Sequence, residues 1–397
     1  MIAIRSPFSS FFDRSPSHRI TAPGRVNLIG EHLDYNGLSV LPMALDRGIT
    51  LTVRGRGDGL VRVASGLPGY APREFELATP LTPYETGDWG NYVKAGALAA
   101  LEVEPSLAVG MDAYVQSTLP VAAGLSSSSA LVVAVLLALL EVNGRKASPT
   151  PLMLAAARAE RFVGTEGGGM DQAICLGAVA GAAMRIDFDP LVLTPIPIPP
   201  KWRWLAAFSG VPAAKAAEAR ALYNQRTEEC REVLRRLSQR LGVTDDRPTF
   251  RKLLAEYSLD RLHGLAAACL SRSLEGRFRH VVLEFRRVSE AIESLEFDDP
   301  GLFGQLMVES HMSLQEEYEV STPELDRLVN VALDAGAMGA RLTGAGFGGC
   351  VVALTVPVRY EEVRAALQRA VSASFMPDAE VFDATASGGA RVEAVIR

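Results

Sequence analysis

Residues Ala22–Gly37 read APGRVNLIGEHLDYNG, and the alternation from Ile20 to Asn27 predicts a strand that runs into a glycine-rich turn. Charged groups are costly to bury without partners, so a dense polar cluster beside an apolar strand needs an explanation. The cluster is either a surface turn with an ordinary ion pair, or a site whose carboxylates accept hydrogen bonds from a hydroxyl-rich ligand. Its polar members are Arg25, Glu31, His32 and Asp34.

Four consecutive serines separate a glycine from an apolar segment in Gly124–Ala130, GLSSSSA. The apolar segment predicts a helix from about Ser127 to Val142. Backbone N–H groups at a helix start are unpaired and carry partial positive charge, and small residues let a phosphate approach them. One serine would indicate an ordinary helix cap, whereas four in succession favour anion binding. The chain contains no Gly-Lys dipeptide, so this loop is not a P-loop.

A second glycine-rich segment, Gly344–Val351, reads GAGFGGCV and matches G-x-G-x-x-G. A dinucleotide-binding fingerprint opens a helix, whereas the following CVVALTV predicts a strand. The catalytic loop and D-F-G motif of protein kinases do not follow either. A dinucleotide-dependent oxidoreductase and a protein kinase are therefore disfavoured. The segment either packs two strands tightly or lines a phosphate or sugar pocket with backbone.

The segment Gly167–Gln172, GGGMDQ, places three glycines before Asp171. Because glycines have no side chains, a reacting group can come close to this carboxylate. The alternative is a flexible turn that carries a solvated aspartate.

Composition excludes several classes of protein. The 397 residues include 40 Lys+Arg and 46 Asp+Glu, for a net charge of -6, which argues against a nucleic-acid partner. The 4 cysteines are scattered without a C-x-x-C pair, which argues against disulfides and structural zinc. The most apolar run, Ala130–Leu140, is too short to cross a bilayer, and the first residues lack the pattern of a signal peptide. We expect a cytoplasmic monomer with no membrane partner.

The mixture of predicted strands and helices indicates an α+β or α/β chain with two domains. Leu191–Lys201, LVLTPIPIPPK, is the predicted linker, because proline is disfavoured inside helices and central strands. The pattern over Leu176–Phe188 predicts a pair of strands. The expected domains are residues 1–203 and 204–397.

Together these segments resemble the GHMP sugar and small-molecule kinases and, within them, the galactokinase family. Ala22–Gly37 resembles the galactokinase signature, with Leu33 where that family usually has threonine; GLSSSSA resembles the phosphate-loop motif and LTGAGFGGC the third motif. The run Arg161–Gln172 is similar to the N-acetylgalactosamine kinase branch. The resemblance spans nearly the whole chain and continues in Trp89–Lys94, Tyr223–Arg226 and Ser310–Leu314.

The resemblance implies the α+β, two-domain GHMP kinase fold with its active site in the interdomain cleft. It also implies transfer of a phosphoryl group from ATP to the anomeric hydroxyl of galactose, which gives galactose 1-phosphate. Three alternatives stay open: an N-acetylgalactosamine 1-kinase, a kinase for another sugar, and a non-catalytic relative that senses sugar or ATP.

The resemblance further implies roles for individual residues. Asp171 would accept or orient the proton of the C1 hydroxyl, and Arg25 would stabilise the developing charge beside it. Ser128 and Glu160 would bind Mg²⁺, which prefers octahedral oxygen sites. The sugar-binding residues would be Glu31, His32, Asp34, Gly169 and Tyr223. The ATP-binding residues would be Gly124, Leu125, Ser126, Ser127, Ser128, Ser129, Trp89 and Tyr92. The two aromatic residues fit equally well as core residues of an amphipathic helix.

Overall fold

The computed structural model describes residues 6–212, 217–245, 248–373 and 379–395. The strands are β1 (His18–Ile29), β2 (Leu41–Arg56), β3 (Leu60–Ser65), β4 (Arg73–Glu76), β5 (Gly110–Ser117), β6 (Ala182–Asp187), β7 (Val192–Pro197), β8 (Arg203–Phe208), β9 (Gly339–Thr343), β10 (Cys350–Thr355), β11 (Val381–Asp383) and β12 (Arg391–Ala394).

The α-helices are α1 (Pro7–Phe12), α2 (Gly90–Val103), α3 (Ser127–Val142), α4 (Pro149–Ala159), α5 (Met170–Gly177), α6 (Ala217–Leu241), α7 (Phe250–Glu256), α8 (Leu259–Cys269), α9 (Arg272–Glu296), α10 (Pro300–Glu316), α11 (Pro323–Asp334) and α12 (Tyr360–Ser372). Two 3₁₀ turns cover Asp34–Asn36 and Glu160–Val163.

Two sheets organise these elements. The larger has the strand order β12-β1-β2-β5-β3-β4, and the smaller has the order β11-β8-β10-β9. Strands β6 and β7 form a separate antiparallel pair. The small sheet is built from later parts of the chain, so the fold has two regions, and the polar turn after β1 lies where they meet.

The register of β1 against β2 shifts between Pro23 and Arg25, and again between Asn27 and Ile29. An irregularity of this kind bends a strand and redirects its side chains. The end of β1 belongs to the same apolar cluster as helix α9, through Leu28, Val281 and neighbouring residues. The sugar-binding motif predicted from the sequence is therefore packed against the C-terminal part of the chain.

The predicted helix Ser127–Val142 is confirmed as α3. Its residues from Ser129 to Leu136 are all buried, as expected for a helix that is apolar on every side. Protein surrounds this helix, and its first turn faces a cleft. Among the described helices, none combines the length and apolarity that a membrane crossing requires.

The prediction of two strands over Leu176–Phe188 is correct only for the second strand. Ala182–Asp187 forms β6, but Leu176 and Gly177 end the short helix α5, and β6 pairs with β7, later in the chain. A short apolar run does not distinguish the end of a helix from a buried strand, because both can present mainly apolar side chains.

The prediction that Leu191–Lys201 is a linker is also wrong, because Val192–Pro197 forms β7. Pro195 and Pro197 pair in register with Met184 and Ala182. Each strand of a two-stranded sheet has one unpaired side, so proline's missing N–H group is tolerated there.

The predicted division into residues 1–203 and 204–397 stays a prediction. Strand β8 opens the small sheet at Arg203, next to that boundary. Strand β12, however, pairs with β1 in the large sheet, with Ile20 opposite Val392. The end of the described chain therefore returns to the N-terminal region.

Candidate active site

A cleft of about 420 Å³ brings together all the residues that the sequence predicts for catalysis, sugar, ATP and metal. Its walls are the end of β1, the turn that follows, the first turns of α3 and α5, and one face of α6. These segments are far apart in the sequence and meet only in the folded chain.

Arg25 and Asp171 form a two-pronged ion pair in this cleft. Arg25 Nε donates to Asp171 Oδ1 at 2.8 Å, and Nη2 donates to Oδ2 at 3.1 Å. Arg25 Nη1 donates to the carbonyl oxygen of Gly124 at 2.6 Å. Burial opposes the charge of Arg25, but the Asp171 carboxylate raises its pKa, so the guanidinium stays protonated. The Asp171 side chain is 25% exposed, against 7% for Arg25, so the carboxylate is the partner that a ligand can reach.

Asp171 lies in the first turn of α5, directly after Gly169 and Met170. Gly169 has φ 104°, a conformation that glycine adopts without strain and other residues avoid. The glycine therefore lets the chain start the helix abruptly at the cleft wall.

The serine loop turns into α3 through Ser126, which has the left-handed conformation φ 60°, ψ 36°. Its side chain makes no cap hydrogen bond to the helix; its hydroxyl donates to Asp171 instead. The backbone N–H of Arg25 donates to the carbonyl oxygen of Leu125 at 3.1 Å, which fixes the loop against β1. Ser127 begins the helix, and the first N–H groups of a helix have no intrahelical acceptor. The loop therefore offers donors to an anion beside the Arg25–Asp171 pair.

The third motif lies between the serine loop and the turn after β1. A Cβ on Gly344 would lie 2.7 Å from the carbonyl oxygen of Gly124, so only glycine fits. The Gly344 N–H donates to Glu31 Oε1 at 2.5 Å, and Gly344 and Ala345 line the cleft. The sequence leaves two roles open for this segment, tight packing and the lining of a pocket. In the structure its backbone packs tightly and also lines the cleft.

The turn after β1 carries two carboxylates, the buried Glu31 and the half-buried Asp34. Burial raises the pKa of Glu31 to about 7, although Arg341 and Arg25 oppose the rise. Asp34 accepts from the N–H groups of Gly168 at 3.0 Å and Met170 at 3.4 Å. Burial and the nearby Asp171 raise the pKa of Asp34 to about 6. Hydrogen bonds from further donors, such as the hydroxyls of a ligand, would stabilise both carboxylates.

His32 adds an unused polar atom to the turn. Its Nδ1 lies 2.9 Å from the hydroxyl of Tyr35, whereas its buried Nε2 has no partner among the described residues. Burial lowers the pKa of His32 well below its usual value, so the ring is neutral. The ring of Tyr223, from α6, lies 5.8 Å from the His32 ring, centroid to centroid. A buried atom without a partner at a cleft wall is a suitable contact for a ligand hydroxyl.

We predict that Gly168→Ala destabilises the fold by about 1 to 3 kcal/mol, as overpacking does. A Cβ at this position would lie 2.2 Å from the backbone of Asp34 and Tyr35. Gly167→Ala is the matched control, because its Cβ would meet only the Tyr223 hydroxyl, at 4.0 Å. Thermal unfolding of the two variants tests this contact. Equal melting temperatures would show that the glycine run does not pack on the turn.

Glu160 lies at the start of a 3₁₀ turn and faces the first turn of α3. The hydroxyl of Ser129 donates to its carboxylate, and Gln172 Nε2 donates to the Ser129 hydroxyl at 3.3 Å. Ser128, which the sequence predicts as a magnesium ligand together with Glu160, lines the cleft next to Ser129. Burial, followed by the charge of Asp171, raises the pKa of Glu160 to about 7. The metal-binding role of Ser128 and Glu160 stays a prediction.

Aromatic residues line the other end of the cleft. Trp89 Nε1 donates to the carbonyl oxygen of Ala71 at 2.9 Å, and its ring lies 6.0 Å from that of Tyr70. Tyr92, on α2, also lines the cleft. Trp89 and Tyr92 are partly buried; both line the cleft and both pack against the apolar core, so the two roles that the sequence leaves open for them stay predictions.

Arg220 also lines the cleft, together with Tyr92 and Tyr223, although it was not among the residues predicted from the sequence. Arg220 Nη1 donates to the carbonyl oxygen of Val163 at 2.8 Å, and its side chain hydrogen-bonds Tyr92. Its spacing of three residues from Tyr223 on a helix was the available signal, since such residues share a face.

Comparison with known proteins agrees with this geometry. The galactokinase galactose-binding signature matches residues 6–55, the N-terminal domain of GHMP kinases matches 91–178, and their C-terminal domain matches 288–377. A galactokinase of Roseiflexus sp. is 37% identical over 391 residues, which cover 97% of this chain and 95% of that protein. The Homo sapiens galactokinase is 38% identical over 359 residues, which cover 88% of this chain and 86% of that protein.

Solved structures show the same relation. The Lactococcus lactis galactokinase complexed with galactose superposes with a TM-score of 0.87 at 29% identity, covering 97% of both chains. The Methanococcus jannaschii mevalonate kinase shares the fold, with a TM-score of 0.64 at 17% identity over 93% of this chain and 98% of that one. The expected fold class is thereby confirmed: this chain belongs to the galactokinase family of the GHMP kinases.

Proposed function

We propose that this protein transfers the γ-phosphoryl group of ATP to the C1 hydroxyl of galactose, giving ADP and galactose 1-phosphate. The observation that carries the proposal is the Arg25–Asp171 pair, which lies between the serine loop and the turn with Glu31 and Asp34. An anion site and a hydroxyl site thus flank one reachable carboxylate. The relatives from Roseiflexus sp. and Homo sapiens are galactokinases, which supports galactose as the acceptor.

In the reaction, the C1 oxygen forms a bond to the γ-phosphorus while the bond from that phosphorus to the β-bridging oxygen breaks. Asp171 accepts the proton that the C1 hydroxyl loses. Because the transition state of phosphoryl transfer is loose, charge accumulates on the phosphoryl oxygens, and positioning matters more than a strong base. The Arg25 guanidinium stabilises that charge and orients the Asp171 carboxylate.

The first turn of α3 would bind the phosphates through its backbone N–H groups. Side chains of this turn, together with Glu160, would also bind Mg²⁺. The carboxylate of Glu160 and the hydroxyls of Ser128 and Ser129 are oxygen donors, the type that magnesium prefers. Among the described residues, no group of three or more His, Cys, Asp or Glu could hold a metal ion, and these oxygen donors would bind Mg²⁺ together with the phosphates of ATP. When bound, Mg²⁺ neutralises phosphate charge.

The sugar would be held by Glu31, His32, Asp34 and Tyr223, with Gly169 allowing its close approach to Asp171. Carboxylates that pair with sugar hydroxyls discriminate between epimers, because the wrong epimer leaves a buried acceptor unpaired. The buried Nε2 of His32 has no hydrogen-bond partner among the described residues. It would therefore favour the epimer that places a hydroxyl within its reach.

The test incubates the purified chain with ATP, Mg²⁺ and a panel of free monosaccharides, and measures ADP release and the phosphorylated product. Galactose should support turnover and give the 1-phosphate, whereas glucose, its C4 epimer, should not. ATP consumption that is unchanged by every sugar would refute the proposal and favour a sensing relative.

N-acetylgalactosamine is the second candidate acceptor. A Cβ on Gly167 would meet only the Tyr223 hydroxyl, at 4.0 Å, which favours a site with room for a larger substituent at this one position of the glycine run. Comparing kcat/KM for galactose and for its 2-acetamido derivative in the same assay separates the two candidates.

We predict that the apparent KM for MgATP, at saturating galactose, falls about tenfold between pH 6 and pH 8. Burial raises the pKa of Glu160 to about 7, so the carboxylate ionises as the pH rises through this range. The ionised form is the one that attracts Mg²⁺, which fixes the sign of the change. Glu160→Gln is the control and should remove most of this dependence. An unchanged pH profile in Glu160→Gln would exclude Glu160 as the group responsible.

A further inference from the structure

The turn that presents the predicted sugar-binding residues has an unusual backbone. Gly30 has φ 100°, and His32, which is not a glycine, has φ 63°. A histidine in this left-handed region is strained and persists only where the surrounding structure holds it. Something must therefore fix the peptide groups around Glu31.

Two side chains of helix α9 contact the backbone on both sides of Glu31. Glu284 Oε1 accepts from the N–H of Gly30 at 2.8 Å. One turn earlier on the same helix face, His280 Nε2 lies 3.2 Å from the carbonyl oxygen of Glu31. Glu284 and His280 thus contact the peptide groups at which the chain enters and leaves the turn.

The partners of His280 decide which nitrogen carries the hydrogen. A carbonyl oxygen only accepts, so Nε2 donates to Glu31. Nδ1 is then an acceptor; the Ser313 hydroxyl on α10 lies 2.9 Å from it and 3.0 Å from Glu317 Oε2, and its single hydrogen serves one of these two acceptors at a time. Burial lowers the pKa of His280 to about 4, which agrees with a neutral ring. His280 is completely buried and does not line the cleft, so it acts on a ligand only through the turn.

Glu284 is a charged anchor in this arrangement. It accepts from Ser310 Oγ at 2.6 Å and pairs with Arg287 at 2.7 Å. Arg341 lies between Glu284, at 3.8 Å, and Glu31, at 3.7 Å. Removing one partner of a buried ion pair destabilises a fold strongly, so Glu284 is a poor choice for a functional test. His280 can be changed without removing a charge.

We propose that His280 is a positioning residue for the sugar site: its Nε2–H holds the Glu31 carbonyl and thereby orients the Glu31 and His32 side chains toward the acceptor sugar. This inference rests on the proposed function, because it concerns the affinity for that sugar. A purely structural role, joining α9 to α10 through Ser313, would predict a loss of stability without selectivity between the two substrates.

The test compares two substitutions that keep different halves of the imidazole. His280→Asn keeps an acceptor near Nδ1 and loses the donor to Glu31, whereas the amide of His280→Gln reaches the Nε2 position. We expect His280→Asn to raise the KM for galactose about tenfold, the worth of one hydrogen bond, with the KM for ATP changed less than about twofold. His280→Gln should recover most of the galactose affinity. Ser294→Ala, which removes a buried bond to Ala291 on the same helix, is the control and should change neither KM.

If His280→Asn does not fold, Ser313→Ala serves instead, because it frees the imidazole without removing it; the same selective rise in galactose KM is expected, with a smaller size. An unchanged galactose KM, or equal rises in both KM values, in a folded variant would overturn the positioning role while an active wild type keeps the proposed function. A wild type without sugar-dependent turnover would refute the proposed function, and this inference with it.

Discussion

Asp171→Ala is expected to lower kcat by about 1,000-fold or more, the upper range for loss of a proton acceptor. The Asp171 carboxylate is the more exposed member of the Arg25–Asp171 pair, and the Ser126 hydroxyl also donates to it. Its removal leaves no group at this position to take the proton of the acceptor hydroxyl. Steady-state rates with galactose and ATP, measured together with thermal unfolding, check the prediction.

Asp171→Asn is the control for the shape of the side chain. The amide keeps an oxygen that can accept from Arg25, but it cannot accept a proton from the sugar. Both variants should therefore be almost inactive, with the asparagine variant nearer to wild-type stability. Turnover close to the wild-type rate in either folded variant would remove Asp171 from the mechanism.

Arg25→Lys is the second large effect, with kcat expected to fall about 100-fold or more. The guanidinium makes two bonds to Asp171 and one to the Gly124 carbonyl, in three different directions. An ammonium group is a compact point charge and cannot reproduce this planar fork, although it keeps the positive charge. The carboxylate and the serine loop would lose their common anchor, and the positive charge would no longer be held in a fixed position beside Asp171.

Arg54→Lys is the matched control for the change of side chain. Arg54 lies on β2 and donates to the Ser15 carbonyl at 2.9 Å, away from the cleft. That variant should retain wild-type kcat and both KM values. An Arg25→Lys variant whose only change is a higher KM for galactose would show that Arg25 binds substrate without taking part in the transfer.

The elevated pKa values in the cleft have a common cause. Glu31 and Glu160 are buried and Asp34 is half-buried, and the protein partners of these carboxylates do not fully compensate for the water they lose. Perturbed groups of this kind gather where a ligand supplies the missing interactions. Galactose hydroxyls would supply them to Glu31 and Asp34, and a cation to Glu160, so ligand binding and ionisation should be coupled in this protein.

Local patterns in the sequence predicted several elements well. The α3 helix was predicted with its bounds, because a long apolar run after a serine loop has few alternatives. Two predictions for short segments failed: the first of the two strands predicted over Leu176–Phe188 is the end of α5, and β7 was predicted as a linker. In both segments the outcome depends on what the chain packs against, which a window of eight residues does not contain.

The reactive groups of this protein can be identified from short stretches of sequence: one guanidinium, one carboxylate after a glycine run, a serine loop at a helix start and a polar turn. Each is recognisable because its function requires particular residue types. How these groups combine depends on the folded chain. Arg25 meets Asp171 across 146 residues, Glu160 meets Ser129, and His280 holds the backbone of Glu31 from 249 residues away. Residue types are written locally, whereas such contacts arise from the packing of sheets and helices, where the balance of burial, charge and hydrogen bonding over the whole chain selects the partners.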